Sequence, residues 1–148
     1  MEFDKATERR IVVGVDGSPS SEAALRWAIA QAGLRGAAVE ALTSWEYPAT
    51  IGWSIPMTVD TDFGALAGKV LSECVSKAAG PDRTVEIREH VVQGNAAQAL
   101  VAAAHGAELL VVGNRGHGGF TEALLGSVSQ RCVHHATCPV VVVRDDEN

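Results

Sequence analysis

The chain has 148 residues, 47% of them hydrophobic and 20% charged, with a formal net charge of −6. That is enough for one domain burying roughly 70% of its unfolded surface, and too little for two ordinary ones. The acidic balance argues against a nucleic-acid surface, and no run approaches the ~18 apolar residues of a membrane span, so neither is an expected partner.

The three cysteines, Cys74, Cys132 and Cys138, form no CxxC. They suit free thiols in a reducing, cytoplasmic setting rather than a disulfide framework. The opening MEFDKATERR is charged and lacks an apolar run, so no signal peptide is expected.

IVVGV (residues 11–15) is a short β-branched run before a turn-prone DGSPS and reads as a buried strand. Ser18-Pro19 is a helix start, and Leu25, Ala28, Ile29 and Ala32 then share one helical face. Gly33 or Gly36 ends that helix. VEALTSW (39–45) is the second strand. The following stretch to about residue 60, with Tyr47 and Trp53, reads as a long loop. From Phe63 to Ala78 apolar residues keep helical spacing until Gly80-Pro81. VEIREHVV (85–92) alternates apolar and polar, as a strand with one wet face does. Gly94 follows, Asn95 and Gln98 are placed as a helix cap and its return partner, and Ala97, Leu100, Val101 and Ala104 carry the third helix. LLVVG (109–113) is an apolar strand leading into a glycine-rich loop. A helix from about Leu125 to His135 and the strand PVVVVR (139–144) complete the chain.

This order predicts a single α/β domain over residues 1–148, with its core in 11–144 and flexible tails at 1–9 and 145–148. Its centre is an open five-stranded, mostly parallel sheet with helices on both faces and right-handed crossovers. Ligands of such sheets sit beyond the carboxyl ends of the strands where strand order reverses. If strands one and four are neighbours, the loops GVDGSPS and GNRGHGG face one crevice. The third strand alternates as an edge should, whereas Val140–Val143 are all apolar on the expected opposite edge. An exposed apolar edge invites pairing, so a homodimer through Val140–Val143 is expected.

Within the loop the spacing is Gly113-x-x-Gly116, nine residues, then Gly126-Ser127. Glycine lets backbone N–H groups approach a ligand, and the start of the last helix favours anions. Ser127 and Ser129 add hydroxyls, and Arg115 and His117 are the nearby cationic candidates. A phosphate is the natural guest. There is no GxxxxGK[ST], and the first turn lacks GxGxxG, so neither a P-loop nor a nicotinamide site is indicated.

With the early VVGVDGS and the terminal PVVVVR, the GxxGx9G[S/T] pattern resembles the universal stress protein family, over nearly the whole chain from Ile11 to Arg144. The resemblance implies a Rossmann-like domain of the adenine-nucleotide-binding alpha-hydrolase-like type, dimers joined through the last strand, and ATP binding where the glycine motif is kept. By position, Gly14 and Asp16 would line the crevice, with Asp16 toward ribose or metal. Backbone at Thr43–Ser44 would meet the adenine edge, and Gly94 would allow close approach on the other side. Gly113, Arg115, Gly116 and His117 would hold ribose and α-phosphate, and Gly126, Ser127, Val128 and Ser129 the outer phosphates. ATP brings about four negative charges to an acidic chain, so Mg2+ or Mn2+ is expected with it, contacting Asp16.

The implied role is a dimeric, nucleotide-dependent stress-response regulator. Slow ATP hydrolysis at the same site and a nucleotide-independent interaction module are the alternatives. Hydrolysis is poorly equipped, because Asp16 and Arg115 have no supporting groups. Cys132, His134, His135 and Cys138 are all zinc-ligand types but match no common zinc spacing. His90 and His105 read as a strand's polar face and a helix terminus. A flavodoxin-like flavin site would want its phosphate loop after the first strand, where Asp16 stands instead.

Overall fold

A computed structural model describes residues 8–46, 62–81, 83–115 and 125–145. In chain order the elements are β1 (Arg10–Gly14), α1 (Pro19–Arg35), β2 (Ala38–Trp45), α2 (Phe63–Ala79) and β3 (Ile87–Gln93). Then follow α3 (Ala96–Ala103), β4 (Leu109–Gly113), α4 (Ser127–His135) and β5 (Val140–Val143). The strands form one sheet in the order β3-β2-β1-β4-β5, and every ladder is parallel. Strand order therefore reverses at β1, with β2 on one side and β4 on the other, as expected for the crevice.

β1 is central and buried on both faces, which is why it reads as an unbroken apolar run. Ile11 and Val13 pack with Leu25 and Ala28 of α1 and with Leu71 and Val75 of α2. Val12 points the other way, to Leu100 and Ala103 of α3 and Cys132 of α4. Each large apolar side chain so buried contributes about 1.5–3 kcal/mol.

The helix boundaries follow local chemistry. Ser18 caps α1 by accepting from the Ser21 N–H at 3.3 Å, with Pro19 in the first turn. Gly36, not Gly33, ends that helix, in the left-handed conformation (φ 68°) that lets its N–H reach the Ala32 carbonyl. Asn95 caps α3 through the Gln98 N–H at 2.9 Å, as its spacing indicates. α4 begins at Ser127, two residues later than the sequence suggests. Residues 47–61, including Tyr47 and Trp53, lie outside the described residues; at the ends of that connection Trp45 and Phe63 stack with ring centroids 6.3 Å apart.

The expected wet face of the third strand carries a charge network built around one buried carboxylate. Glu40 of β2 is 1% exposed. It receives Arg88 Nη1 at 2.5 Å and pairs with His90 Nε2. Arg88 also binds Glu8, and Glu86 at 2.9 Å. A charge in this position persists only when paired, because removing one partner of a buried pair costs about 3–5 kcal/mol. Alternation alone does not distinguish such a network from solvated side chains.

Two glycines of the crevice sit in close packing, and at Gly113 the packing requires one. A Cβ on Gly113 would lie 2.7 Å from the carbonyl carbon of Ser20 and 2.8 Å from the N of Ser21, both backbone atoms of α1. A Cβ on Gly14 would lie 2.8 Å from Leu100 Cδ1, the tip of a side chain that can turn aside. Neither glycine has positive φ. Their missing side chains let α1 and α3 lie close on the strand ends. Gly113→Ala should accordingly lower unfolding free energy by about 2–3 kcal/mol in urea titration, and Gly14→Ala by about 1 kcal/mol. Equal costs would contradict the distinction between backbone and side-chain obstruction.

Candidate functional site

A cavity of about 390 Å³ opens at the carboxyl ends of the central strands. Its floor is apolar, made by Leu42, Leu100 and Val112. Thr43 and Ser44 of β2 and Ala96 of α3 flank it on one side, and Gly126, Ser127, Val128 and Ser129 on another. Gly14, Asp16, Gly113 and Arg115 complete the parts expected from sequence. Gly94 (φ 136°) ends β3 and donates its N–H to the Trp45 carbonyl at 2.9 Å, and it is not among the lining residues. Gly116 and His117 lie outside the described residues.

The first loop is held by its serines. Asp16 Oδ1 accepts from the Ser18 N–H at 2.9 Å and the Ser18 Oγ at 2.5 Å. The Asp16 N–H donates to Ser21 Oγ at 3.2 Å. Ser20 Oγ donates to the Arg115 carbonyl at 2.6 Å, and the Arg115 N–H points back to it at 3.2 Å. Arg115, where the glycine loop begins, is thus bolted to the first turn of α1. Sequence reasoning singled out Ser18 as a cap and missed Ser20 and Ser21; in the run SPSS nothing separates a cap from a cross-link without the partner strand. The apolar floor was also missed, because Leu42, Leu100 and Val112 read as plain core positions.

At the other wall, α4 starts without a capping side chain. Ser18, Asp62 and Asn95 cap the other three described helices. The Gly126 N–H is used by the Asn114 carbonyl at 2.8 Å, and Asn114 donates to the Val143 carbonyl at 2.9 Å. The next residues, Ser127, Val128 and Ser129, line the cavity, and the unpaired amides and dipole of a helix start favour negative charge. Ser129 Oγ donates to the Gly126 carbonyl at 3.0 Å, so its hydroxyl serves the helix turn.

Asp16 is the one acidic and Arg115 the one basic residue among the described lining residues. A magnesium site commonly draws one or two carboxylates plus phosphate oxygens and waters. This donor set therefore fits an ion arriving with a phosphate ligand better than a resident one. Among the described residues no group of three or more His, Cys, Asp or Glu is arranged to hold a metal. Cys132 is fully buried, and burial pushes its thiol up to about 11, the behaviour of an inert core thiol rather than a thiolate ligand. No helix among the described residues is long and apolar enough to cross a membrane.

Comparison with known proteins agrees with this architecture. The model of the universal stress protein family matches residues 8–144. A universal stress protein of Mycolicibacterium smegmatis is 36% identical over 151 aligned residues, covering 96% of this chain and 50% of that protein. The chain spans about half the length of the curated relatives it matches. Among solved structures, a universal stress protein in complex with cAMP is 28% identical with a TM-score of 0.64, covering 93% of this chain and 97% of its own. A universal stress protein from Archaeoglobus fulgidus in complex with dAMP shares the fold at 24% identity and a TM-score of 0.61, over 91% of this chain and 97% of its own. On the extent of the family match and the identity of these relatives, the chain belongs to the universal stress protein family.

Proposed function

We propose that the crevice binds an adenine nucleotide, ATP with Mg2+ or Mn2+ in the first place, and that the protein is a nucleotide-dependent stress-response regulator. The observation that carries this reading is the uncapped start of α4 opening onto a cavity with an apolar floor. An aromatic base fits over Leu42, Leu100 and Val112, with the β2 backbone at Thr43–Ser44 toward its edge. Phosphates fit at the amides of Ser127, Val128 and Ser129. The similar protein described with cAMP supports an adenine nucleotide as the ligand class. Asp16 would meet the ribose or the metal ion, which would neutralise phosphate charge that backbone amides meet only in part. With one carboxylate already tied to Ser18, the site is suited to holding a nucleotide rather than activating a water.

The proposed assembly is a homodimer through β5. Val140–Val143 are all part-exposed along this edge of the sheet, and a second copy would cover them. The relatives, about twice as long, have room for a second unit of this size in one chain.

Ser127→Asp separates binding from folding. A carboxylate at the first helical position favours α4 by about 0.3–1 kcal/mol through the dipole, yet repels a phosphate. The variant should melt at or above the wild-type temperature and bind Mg-ATP more than about tenfold more weakly by calorimetric titration. Unchanged affinity would place the phosphates elsewhere. Val141→Lys should give a monomer in sedimentation, because a charge on a paired apolar edge opposes association; an unchanged dimer would refute that interface.

A further inference from the structure

Among the buried residues of α3, Ala97, Leu100 and Ala103, only Leu100 is large. It shares the apolar floor of the crevice with Leu42 and Val112. A Cβ on Gly14 would stand 2.8 Å from Leu100 Cδ1, 3.4 Å from Cδ2 and 3.7 Å from Cγ. Ordinary carbon–carbon contact is about 3.5–4.0 Å, so the leucine tip would have to withdraw by about 1 Å. Two routes of withdrawal are opposed. The helix is held at both ends, by the Asn95 cap and by Arg10, which donates to the Ala103 carbonyl at 2.8 Å and the His105 carbonyl at 2.7 Å. Leu100 also belongs to a close-packed buried cluster with Val12, Ala103, Leu110 and Cys132, which leaves little room to move inward. The cavity is its open side.

We infer that Gly14 is a positioning residue of the crevice: by carrying no side chain it lets Leu100 sink, and the seat of Leu100 sets the depth of the slot that takes the base. This rests on the nucleotide reading above and deepens it. A planar ring on an aliphatic floor is held by many close contacts, each weak and each steep in distance. A floor raised by about 1 Å turns those contacts repulsive and lifts the ring away from the β2 backbone beside it. Every ligand that carries the base feels that change, whatever its phosphates. The two packed glycines therefore differ in kind. A side chain at Gly113 meets backbone that cannot yield, so its effect falls on folding. A side chain at Gly14 meets a movable tip whose open side is the cavity, so its effect falls mainly on binding.

The test titrates the full chain with adenosine and AMP by calorimetry, for wild type, Gly14→Ala, Leu100→Val and the double variant Gly14→Ala/Leu100→Val, with a thermal melt of each. Valine stops at its γ carbons, and Leu100 Cγ is already 3.7 Å from the added Cβ, so the collision disappears in the double variant. Gly14→Ala should weaken adenosine and AMP by the same factor, about tenfold, the scale of one overpacked contact. In the Leu100→Val background the same methyl should cost less than about twofold. Wild-type affinities in Gly14→Ala would overturn the inference and leave the nucleotide site standing. An equal loss in the Leu100→Val background would also overturn it, because the methyl itself would then fill the slot. So would a loss for AMP alone, which would put the effect at the phosphates. A Gly14→Ala chain that does not fold would overturn it too, since Leu100 would then have nowhere to turn. If the wild type binds neither ligand, the nucleotide reading and this inference fall together.

Discussion

The first turn of α1 lies so near the end of β4 that one methyl group at Gly113 would collide with its backbone. That approach organises the rest of the crevice. It brings Ser20 within reach of the Arg115 main chain. The helix can sit there because Ser18 and Pro19 start it sharply and because Ala24, Ala28 and Ala32 keep its buried face thin. Sheet order does the remainder: with β1 beside β4, the two turn-rich loops emerge next to each other instead of on opposite edges.

Charge is distributed along the sheet in two separate arrangements. On β2 and β3, Glu40, Arg88, Glu8 and His90 satisfy one another at the edge away from the crevice. Arg88 is held firmly protonated by its bond to Glu8 first and then by those to Glu86 and Glu40. Toward the crevice, Asp16 accepts from Ser18 in the first loop and Arg115 pairs with Asp145 beyond β5. The first arrangement fixes strand pairing.

Much of the fold was legible because its strongest signals are local. The apolar runs of β1 and β4 mark strands buried on both faces, and Ser18-Pro19 and Asn95 mark helix starts through groups that only a helix terminus needs. Places where sequence reasoning fell short depend on a distant partner. The alternation at 85–92 reads as one wet face, and only Glu40 on the neighbouring strand shows that Arg88 and His90 are paired there. Gly14 and Gly113 read as close approach to a ligand, and their second duty, the close approach of Leu100 and of α1, needed the packed partners to be seen. Leu125 reads as the start of the last helix, but Gly126 holds the position before it, with no side chain to cap and its N–H bonded to the Asn114 carbonyl. The grouping of Asp16, Ser44, Arg115 and residues 126–129 around one cavity was foreseeable because strand topology alone gathers strand ends.

The central claim is that the amides opening α4 receive the phosphates of an adenine nucleotide. Its most direct measurement is a backbone amide NMR titration with AMP. The account predicts the largest downfield proton shifts at Ser127, Val128 and Ser129, with smaller ones at Thr43 and Ser44 beside the base. Shifts confined to the opposite end of the sheet, around Glu8, Gly36 and Glu86, would contradict it.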